Sequence, residues 1–161
     1  MLVPQNHLCG RKTLLEIKTI QQGDPLWDET AAYAAHCSWR AGAALAHKMA
    51  LNDFLGWERV FVAADEKGTA GFCTLTAHDE LPPEMGFSPF IGFVFVDERC
   101  RGQRLSGQLI EAALRYAASL GYQTVYIMSG EKGLYEKYGF IKLGEYQTIY
   151  GTTDQLFHIR L

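Results

Sequence analysis

The sequence predicts an α/β domain of the α+β type, in which a mixed β-sheet carries helices on its faces. Two observations lead to this fold class. The chain has 161 residues, of which 48% are hydrophobic, so it can bury the core of one domain. Segments with strand-like and helix-like spacing of apolar residues also alternate along it, and no repeat or low-complexity linker interrupts them. We therefore expect residues 1–161 to form a single domain.

The first third of the chain predicts one strand and two helices. Apolar residues alternate with polar ones over residues 13–21, and Gly23, Asp24 and Pro25 then end the strand. Residues 25–53 are rich in alanine and place large apolar side chains at helical intervals. A break at residues 40–42 divides this stretch into two consecutive helices.

The middle of the chain predicts three strands. Residues 60–64 and 71–77 are rich in strand-forming residues, and the polar stretch 65–68 between them predicts a hairpin. Prolines then mark a loop over residues 82–89. The apolar run at residues 90–96 predicts the third strand of this group.

A long amphipathic helix follows, because apolar residues recur at steps of three and four in Leu105, Leu109, Ala113, Tyr116 and Leu120. Gly121 stands where a helix commonly ends. The rest of the chain predicts a strand at residues 124–128, a short helix at 133–138 and closing strands at 140–149 and 155–161. This order of elements requires a mixed sheet with helices on its faces.

Composition and charge exclude several classes of function. The formal net charge is -3 and both signs are mixed along the chain, so we expect no nucleic-acid partner. No apolar stretch is long enough to span a bilayer, and Pro4, Gln5 and Asn6 stand where a signal peptide needs an apolar run. We expect a cytoplasmic protein without a membrane partner. The cysteines and histidines match no metal-binding motif, so no metal is expected.

A basic loop containing glycine joins the strand at residues 93–96 to the long helix. Successive backbone N–H groups and the helix dipole favour a phosphate at such a place. Gly102 and Gly107 allow close approach of a ligand, and the arginines can add charge-assisted hydrogen bonds, namely Arg99, Arg101 and Arg104. A solvated basic turn is the alternative. The patterns of P-loop hydrolases and of dinucleotide-binding folds are absent from this loop.

The loop resembles motif A of the GNAT N-acetyltransferases, which reads Gln or Arg, two variable residues, Gly, one variable residue, and Gly or Ala. Arg101 takes the first position, whereas Arg104 stands where the family usually has glycine and Ser106 where it has glycine or alanine. A second segment, residues 133–140, is similar to the late GNAT segment in which a tyrosine on a short helix precedes a Gly-Phe turn. Tyr135 is that tyrosine.

The resemblance implies a GNAT-like fold with a central, mostly antiparallel sheet, in which the strands at residues 93–96 and 124–128 splay apart. It also implies acetyl-CoA as cosubstrate, with the pantetheine arm along Val94, Phe95 and Val96. The pyrophosphate is then expected at Arg101, Gly102, Gln103, Arg104, Leu105, Ser106 and Gly107.

Tyr135 matches the general acid of the family. A phenol with a pKa of about 10 can protonate a thiolate whose conjugate acid lies near about 8.5. The alternative for Tyr135 is a packed aromatic residue. For the general base, the sequence offers Glu84, with His78, Asp79 and Glu80 as alternatives.

Direct transfer in a ternary complex is expected for the reaction. Cys100 lies beside the loop but has no recognisable histidine partner for nucleophilic catalysis. The expected function is N-acetylation of a small-molecule or peptide amine, with polyamines, amino acids, antibiotics and protein N-termini all open. The alternatives are a noncatalytic module that binds or senses CoA and a plain interaction protein. A homodimer is left open.

Overall fold

The computed structural model describes residues 14–161. Within this range, seven strands and three α-helices follow in the order that the sequence predicts. The strands are β1 Glu16–Ile20, β2 Arg59–Asp65, β3 Gly68–Thr76, β4 Phe90–Val96, β5 Thr124–Ser129, β6 Ile141–Gln147 and β7 Thr153–Arg160. The helices are α1 Trp27–His36, α2 Gly42–Ala50 and α3 Leu105–Ser119. Short 3₁₀ turns lie at Pro83–Met85, Glu98–Cys100 and Tyr135–Tyr138.

All seven strands belong to one sheet, in the order β1-β2-β3-β4-β5-β7-β6. Neighbouring strands are antiparallel except β4 and β5, which run parallel and are joined through α3. Only Phe90 of β4 pairs with β5, opposite Tyr126. The two central strands part beyond this point. The predicted fold class, a mostly antiparallel sheet with splayed central strands between helices, is therefore confirmed.

The alternation of side chains along the strands gives the sheet two buried faces. On one face, α3 contributes Leu109 and Ile110 to a cluster that also contains Phe157. On the other face, α1 and α2 cover the half of the sheet nearest β1, where Leu45 and Met49 are fully buried. The other half of that face carries a smaller cluster of Leu81, Phe90, Met128 and Leu156.

The first closing strand is shorter than the sequence predicts and ends at Gln147, whereas the last strand begins at Thr153, two residues before its predicted start. Residues 148–152 form a turn instead, because the Thr148 N–H donates to the Thr152 carbonyl over 2.7 Å and the Tyr150 N–H donates to Thr148 Oγ1 over 3.2 Å. At the other end of the chain, the first strand begins at Glu16, and residue 13 of its predicted range lies outside the described residues. Among the described residues, no helix combines the length and apolar character needed to cross a bilayer.

Candidate active site

The basic loop lies between the end of β4 and the start of α3. Gly102 has a φ of +82°, and a Cβ added there would meet no atom within 4 Å, so the backbone is open to a ligand on that side. Arg104 also adopts left-handed geometry, with a φ of 58°, directly before α3. The loop therefore turns sharply and presents its backbone at the N-terminus of the longest described helix.

The backbone N–H groups of this loop have no acceptor among the described residues. In residues 14–161, no hydrogen bond is formed by the N–H groups of residues 102–107, and Gln108 is the first to donate, to the Arg104 carbonyl over 3.2 Å. The first turn of a helix lacks internal acceptors for its donors, and its dipole attracts negative charge. This row of free donors suits an anion such as a pyrophosphate.

The arginines of the loop differ in their availability. Arg99 is held by Asp97, because its Nε and Nη2 atoms donate to the two carboxylate oxygens over 2.9 and 3.0 Å. Arg99 is the main cause that holds the pKa of Asp97 well below its usual range. Arg101 donates through Nε to the Val96 carbonyl over 3.3 Å and is exposed, as is Arg104. Arg101 and Arg104, rather than Arg99, are therefore the cationic side chains open to a phosphate.

The start of α3 is tied to the 3₁₀ turn Tyr135–Tyr138. Ser106 Oγ and the Tyr138 hydroxyl share a hydrogen bond of 2.6 Å. A Cβ on Gly107 would lie 2.8 Å from Tyr138 Cε1, so the glycine accommodates the tyrosine ring. Leu105 is buried in the cluster beneath α3. The side chains at positions 105 and 106 thus serve packing, which leaves their backbone groups to meet a ligand, and Gln103 is exposed beside them.

β4 contains a bulge next to the splay. Phe72 pairs with Phe95 and Thr74 with Gly92, so two residues of β4, Phe93 and Val94, lie opposite one residue of β3. Phe93 has a φ of 49°, which is rare for a residue with a side chain. The bulge bends β4, and the strand forms no ladder with β5 beyond Phe90. Its backbone along residues 94–96 can therefore pair with an extended ligand.

Tyr135 lies on the α3 face of the sheet and is only 5% exposed. Its ring packs against Phe140 and Phe157, with centroids 6.2 and 5.8 Å away. Burial raises the pKa of Tyr135 to about 12, although a hydrogen bond with Ser129 opposes the shift. The hydroxyl therefore keeps its proton at neutral pH. Tyr135 is therefore a packed aromatic residue with a protonated hydroxyl, and its role as the acid stays a prediction.

The four candidate bases lie in different environments. Glu84 stands exposed on the 3₁₀ turn Pro83–Met85, and His78 is exposed as well. Burial raises the pKa of Glu80, and the charge of the nearby Asp154 of β7 adds to the rise. Asp79 is turned towards β4, where a Cβ on Gly92 would lie 3.5 Å from its Oδ1 atom.

Asp79 has the pKa of a base that works near neutrality. Burial raises its pKa to about 7, the charge of Glu80 adds to the rise, and Lys48 of α2 opposes it. An ordinary aspartate has a pKa near about 3.9 and would be a weak acceptor of protons. Among the four candidates, Asp79 combines a position over β4 with a pKa near neutrality.

Sequence analysis did not identify Thr74, Gly92 and Asp154. Thr74 Oγ1 lies 3.4 Å from the Cβ position of Gly92 and, although buried, forms no hydrogen bond with any described residue. A glycine inside the apolar run Phe90–Val96 is a signal of close approach and could have drawn attention to this place. Asp154 gives no such signal, because an aspartate near a strand end is usually a turn residue.

Two clefts of about 370 and 380 Å³ lie on either side of Tyr33 and Arg99, beside the end of β4. The Tyr33 hydroxyl donates to Asp97 Oδ2 over 2.8 Å and so links α1 to the start of the loop. Neither cleft is lined by Tyr135 or Asp79. In the part of the chain from residue 14 onwards, no three histidines, cysteines or acidic residues are placed to hold a metal ion.

Comparison with protein families gives one match. A family model described as "Acetyltransferase (GNAT) domain" matches residues 56–142, which is more than half of the chain. The matched range contains the bulge of β4, the basic loop, α3 and Tyr135. No curated protein matches the sequence significantly.

Solved structures share the fold. The GNAT family N-acetyltransferase YhbS from Escherichia coli, in complex with CoA, superposes with a TM-score of 0.67 at 21% identity and covers 93% of this chain and 83% of that one. An aminoglycoside 6'-N-acetyltransferase complexed with coenzyme A superposes with a TM-score of 0.67 at 14% identity. The match covers 90% of this chain and 96% of that one. A GNAT family acetyltransferase from Elizabethkingia anophelis with acetyl-CoA bound superposes with a TM-score of 0.62 at 17% identity. The match covers 91% of this chain and 98% of that one.

Proposed function

The chain belongs to the GNAT acetyltransferases, and on that premise we propose that it passes the acetyl group of acetyl-CoA to an amine of a small molecule or peptide, directly and within a ternary complex. The observation that carries the proposal is the row of unused N–H groups at residues 102–107, beside a strand edge that the splay leaves open. Together they fit a ligand with a pyrophosphate and an extended arm.

The residues present fit CoA by their chemistry. The free N–H groups and the open space at Gly102 suit the pyrophosphate, and Arg101 and Arg104 supply positive charge. Backbone groups of Val94, Phe95 and Val96 suit the amides of a pantetheine arm. When bound, acetyl-CoA supplies an acetyl group activated as a thioester.

Two proton-transfer groups lie on opposite faces of the sheet. We assign the acid to Tyr135, whose proton is retained at neutral pH because its pKa is raised to about 12. We assign the base to Asp79 in place of Glu84, which lies on an exposed turn. Asp79 accepts a proton from the ammonium or amine of the acceptor, and the backbone N–H of Val94, in the bulge, donates to the carbonyl oxygen under attack.

Direct transfer agrees with the burial of Cys100, the cysteine beside the loop. Cys100 is only 2% exposed and belongs to the core cluster beneath α3, so an acceptor or thioester cannot reach it without unfolding of that region. A covalent acetyl-cysteine at this position is therefore disfavoured, and the acceptor amine attacks the acetyl carbon itself.

Incubation with acetyl-CoA and a panel of primary amines tests the proposal, with free CoA thiol measured over time. The panel should start with small-molecule amines, since one structure of the same fold is an aminoglycoside 6'-N-acetyltransferase. Thiol release that depends on an amine, together with an acetylated product by mass spectrometry, supports the proposal. Tight CoA binding without transfer to any amine would instead establish the alternative, a noncatalytic CoA-binding module. Absence of CoA binding at millimolar concentration would refute both.

A further inference from the structure

The loop between β4 and α3 has to be held in shape from its two ends. The N–H groups of residues 102–107 form no hydrogen bond with any described residue, so the loop's own backbone does little to fix it. The end of the loop is held by the buried Leu105 and by the hydrogen bond between Ser106 and Tyr138. The shape of its start therefore depends on the 3₁₀ turn Glu98–Cys100, which follows β4.

Asp97 is the centre of the hydrogen bonds at this turn. Its N–H donates to the Ala70 carbonyl of β3 over 2.8 Å, and its carbonyl accepts from the Cys100 N–H over 2.8 Å. Its Oδ1 atom accepts from the Arg99 N–H over 3.0 Å, in addition to the contacts of the carboxylate with the Arg99 guanidinium. The Asp97 side chain is only 15% exposed. The backbone and the side chain of Asp97 thus both set the shape of the turn.

Tyr33 of α1 fixes the Asp97 carboxylate from the other side. Its hydroxyl donates to Oδ2 over 2.8 Å. Its ring packs against Phe72 and Phe95, with centroids 6.2 and 6.4 Å away, so the ring is held independently of the hydrogen bond. Burial and the hydrogen bond to Asp97 raise the pKa of Tyr33 above its ordinary value. The hydroxyl therefore stays protonated and remains a donor to the carboxylate.

α1 is a firm support for this contact. It approaches α2 so closely that a Cβ on Gly42 would overlap the Ala34 carbonyl oxygen. At the other end of the helix pair, Trp27 Nε1 donates to the Met49 carbonyl over 3.3 Å. Ala34 and Met49 are fully buried against the sheet. A turn that is bonded to α1 is therefore bonded to the core of the protein.

Asp97 is poorly suited to bind the phosphate itself. Its carboxylate is ionised, because Arg99 is the main cause that keeps its pKa low, and like charges repel. The Arg99 guanidinium balances this charge through two hydrogen bonds. Asp97 can therefore lie next to a phosphate loop without contacting the ligand, and any effect it has on the ligand acts through the turn.

We infer that Tyr33 and Asp97 are positioning residues for the cofactor, which hold the turn Glu98–Cys100 against α1 so that the N–H groups of residues 102–107 are arranged for an anion before acetyl-CoA binds. The inference rests on the proposed binding of acetyl-CoA at this loop. A loop that is already ordered loses little conformational freedom when the pyrophosphate binds, so its affinity is higher than that of a loose loop.

The first test uses two acetyl donors that share the thioester and the pantetheine arm. Acetyl-CoA carries the pyrophosphate, whereas S-acetylpantetheine lacks it. Tyr33→Phe removes the hydroxyl and keeps the packed ring. We expect this variant to raise KM for acetyl-CoA and the Kd for CoA by about fivefold, because the loop loses one support. Its kcat with acetyl-CoA, and its kcat/KM for S-acetylpantetheine, should change by less than about twofold.

The second test uses the sign of the effect of Asp97→Asn. The amide has one acceptor oxygen where the carboxylate has two, so either Tyr33 or Arg99 loses its partner. The substitution also removes a negative charge beside the loop, which by electrostatics alone would tighten the binding of CoA. Positioning predicts the opposite, a Kd for CoA that is raised by about fivefold or more when measured by isothermal titration.

Tyr116→Phe is the matched control. It also removes a tyrosine hydroxyl that joins two distant segments, since Tyr116 donates to the Trp57 carbonyl over 2.7 Å. This contact lies away from the turn Glu98–Cys100. The Kd for CoA and the rates with both donors should therefore stay close to those of the wild type.

The outcomes separate the inference from the proposed function. Equal losses with the two donors in Tyr33→Phe would indicate a general loosening and would overturn the inference, as would an unchanged Kd for CoA in this variant or tighter binding in Asp97→Asn. A wild-type protein that binds CoA and acetylates no amine would overturn the proposed function alone, because the titrations need no turnover. If Asp97→Asn does not fold, Tyr33→Phe still decides. Absence of CoA binding by the wild type would overturn both.

Discussion

Arg104 holds a left-handed backbone conformation at the point where α3 begins. GNAT sequences usually have glycine at this position, and a residue with a side chain costs roughly 1–2 kcal/mol in this region of φ and ψ. Arg104 belongs to the loop whose N–H groups have no acceptor among the described residues, and we propose that its charge contacts a phosphate there. Backbone strain and ligand affinity therefore oppose each other at this residue.

We predict that Arg104→Gly and Arg104→Ala weaken CoA binding equally, because both remove the guanidinium group. The two variants should differ in stability, since only glycine relieves the left-handed strain. We expect Arg104→Gly to be more stable than Arg104→Ala by about 1 kcal/mol. Isothermal titration with CoA and denaturant unfolding measure the two quantities. Equal stability of the variants would contradict the strain, and unchanged affinity would place the phosphates away from residue 104.

Tyr135→Phe should lower kcat by about 10²-fold or more and leave the Kd for CoA nearly unchanged, because it removes the proton donor and keeps the packed ring. Tyr116→Phe is the matched control. It removes a hydroxyl that donates to the Trp57 carbonyl over 2.7 Å and should affect stability rather than turnover. Measurement of kcat for both variants at saturating acetyl-CoA tests the acid role of Tyr135. A variant at position 135 with full turnover would remove it from the acid role.

The base predicts a pH dependence of the rate. Asp79 must be ionised to accept a proton, so kcat/KM should rise with pH through about 7, its pKa. Burial and the charge of Glu80 raise this pKa, and the charge of Lys48 lowers it. In Asp79→Asn, this rise should be absent and the remaining rate low. A pH profile from 5 to 9 measures it. An unchanged rise in the Asn variant would assign the titration to another group.

The same pKa makes a prediction for stability. The folded chain raises the pKa of Asp79 above the unfolded value, so the stabilisation of its protonated form is present below about 4 and is lost as pH rises through about 7. Asp79→Asn should therefore unfold at higher denaturant than the wild type at pH 8, with a smaller gain at pH 5. If the variant is instead less stable at pH 8, the raised pKa is wrong.

At the scale of elements, the first turn of α3 and the 3₁₀ turn Tyr135–Tyr138 form one unit. Ser106 stands where the family motif usually has glycine or alanine, and its hydroxyl shares a hydrogen bond with Tyr138 that neither of those residues could form. Gly107 allows the Tyr138 ring to approach the helix. This unit joins the proposed phosphate loop to the segment that carries the proposed acid, so we expect a substitution in one to alter the other.

We predict that Gly107→Ala destabilises the protein by about 1–3 kcal/mol, because its methyl group would overlap the Tyr138 ring. Alanine is by itself about 1 kcal/mol better than glycine inside a helix. In a Tyr138→Ala background, the substitution at 107 should therefore become neutral or stabilising. A double-mutant cycle by denaturant unfolding measures this coupling. Additive effects at the two positions would show that the ring does not constrain Gly107.

At the scale of the whole molecule, the sheet separates the proposed acid and the proposed base onto its opposite faces. Tyr135 lies on the face of α3, whereas Asp79 lies on the other face, beside α2. The splay between β4 and β5 is the place where a ligand can be reached from both faces. Such an arrangement requires both substrates to be present at once.

Initial-rate kinetics should therefore show intersecting lines when acetyl-CoA and the amine are varied together. Parallel lines in double-reciprocal plots would indicate an acetylated enzyme and would contradict direct transfer. Isolation of the protein after incubation with acetyl-CoA alone is the complementary measurement, and mass spectrometry should find no added acetyl group.

Much of the architecture could be predicted because it depends on local patterns. Apolar periodicity gave the order of all elements. The run of Arg101 and Gly102 before an amphipathic helix predicts a phosphate loop, which stays a prediction. The ends of the elements were harder to predict. The turn at residues 148–152 depends on hydrogen bonds between Thr148 and Thr152, which β-propensity does not reveal.

The sequence by itself determined the fold class, the GNAT family resemblance and the tyrosine of the late motif, because these follow from the spacing of residues near one another in the chain. Tertiary structure alone placed Asp79 over Gly92 and beside Thr74, and on that placement we propose it among the four candidate bases. It also brought Asp154 of β7 close to Glu80. The physical reason is that burial and the nearness of other charges set a carboxyl group's pKa, and both depend on strands that are far apart in sequence.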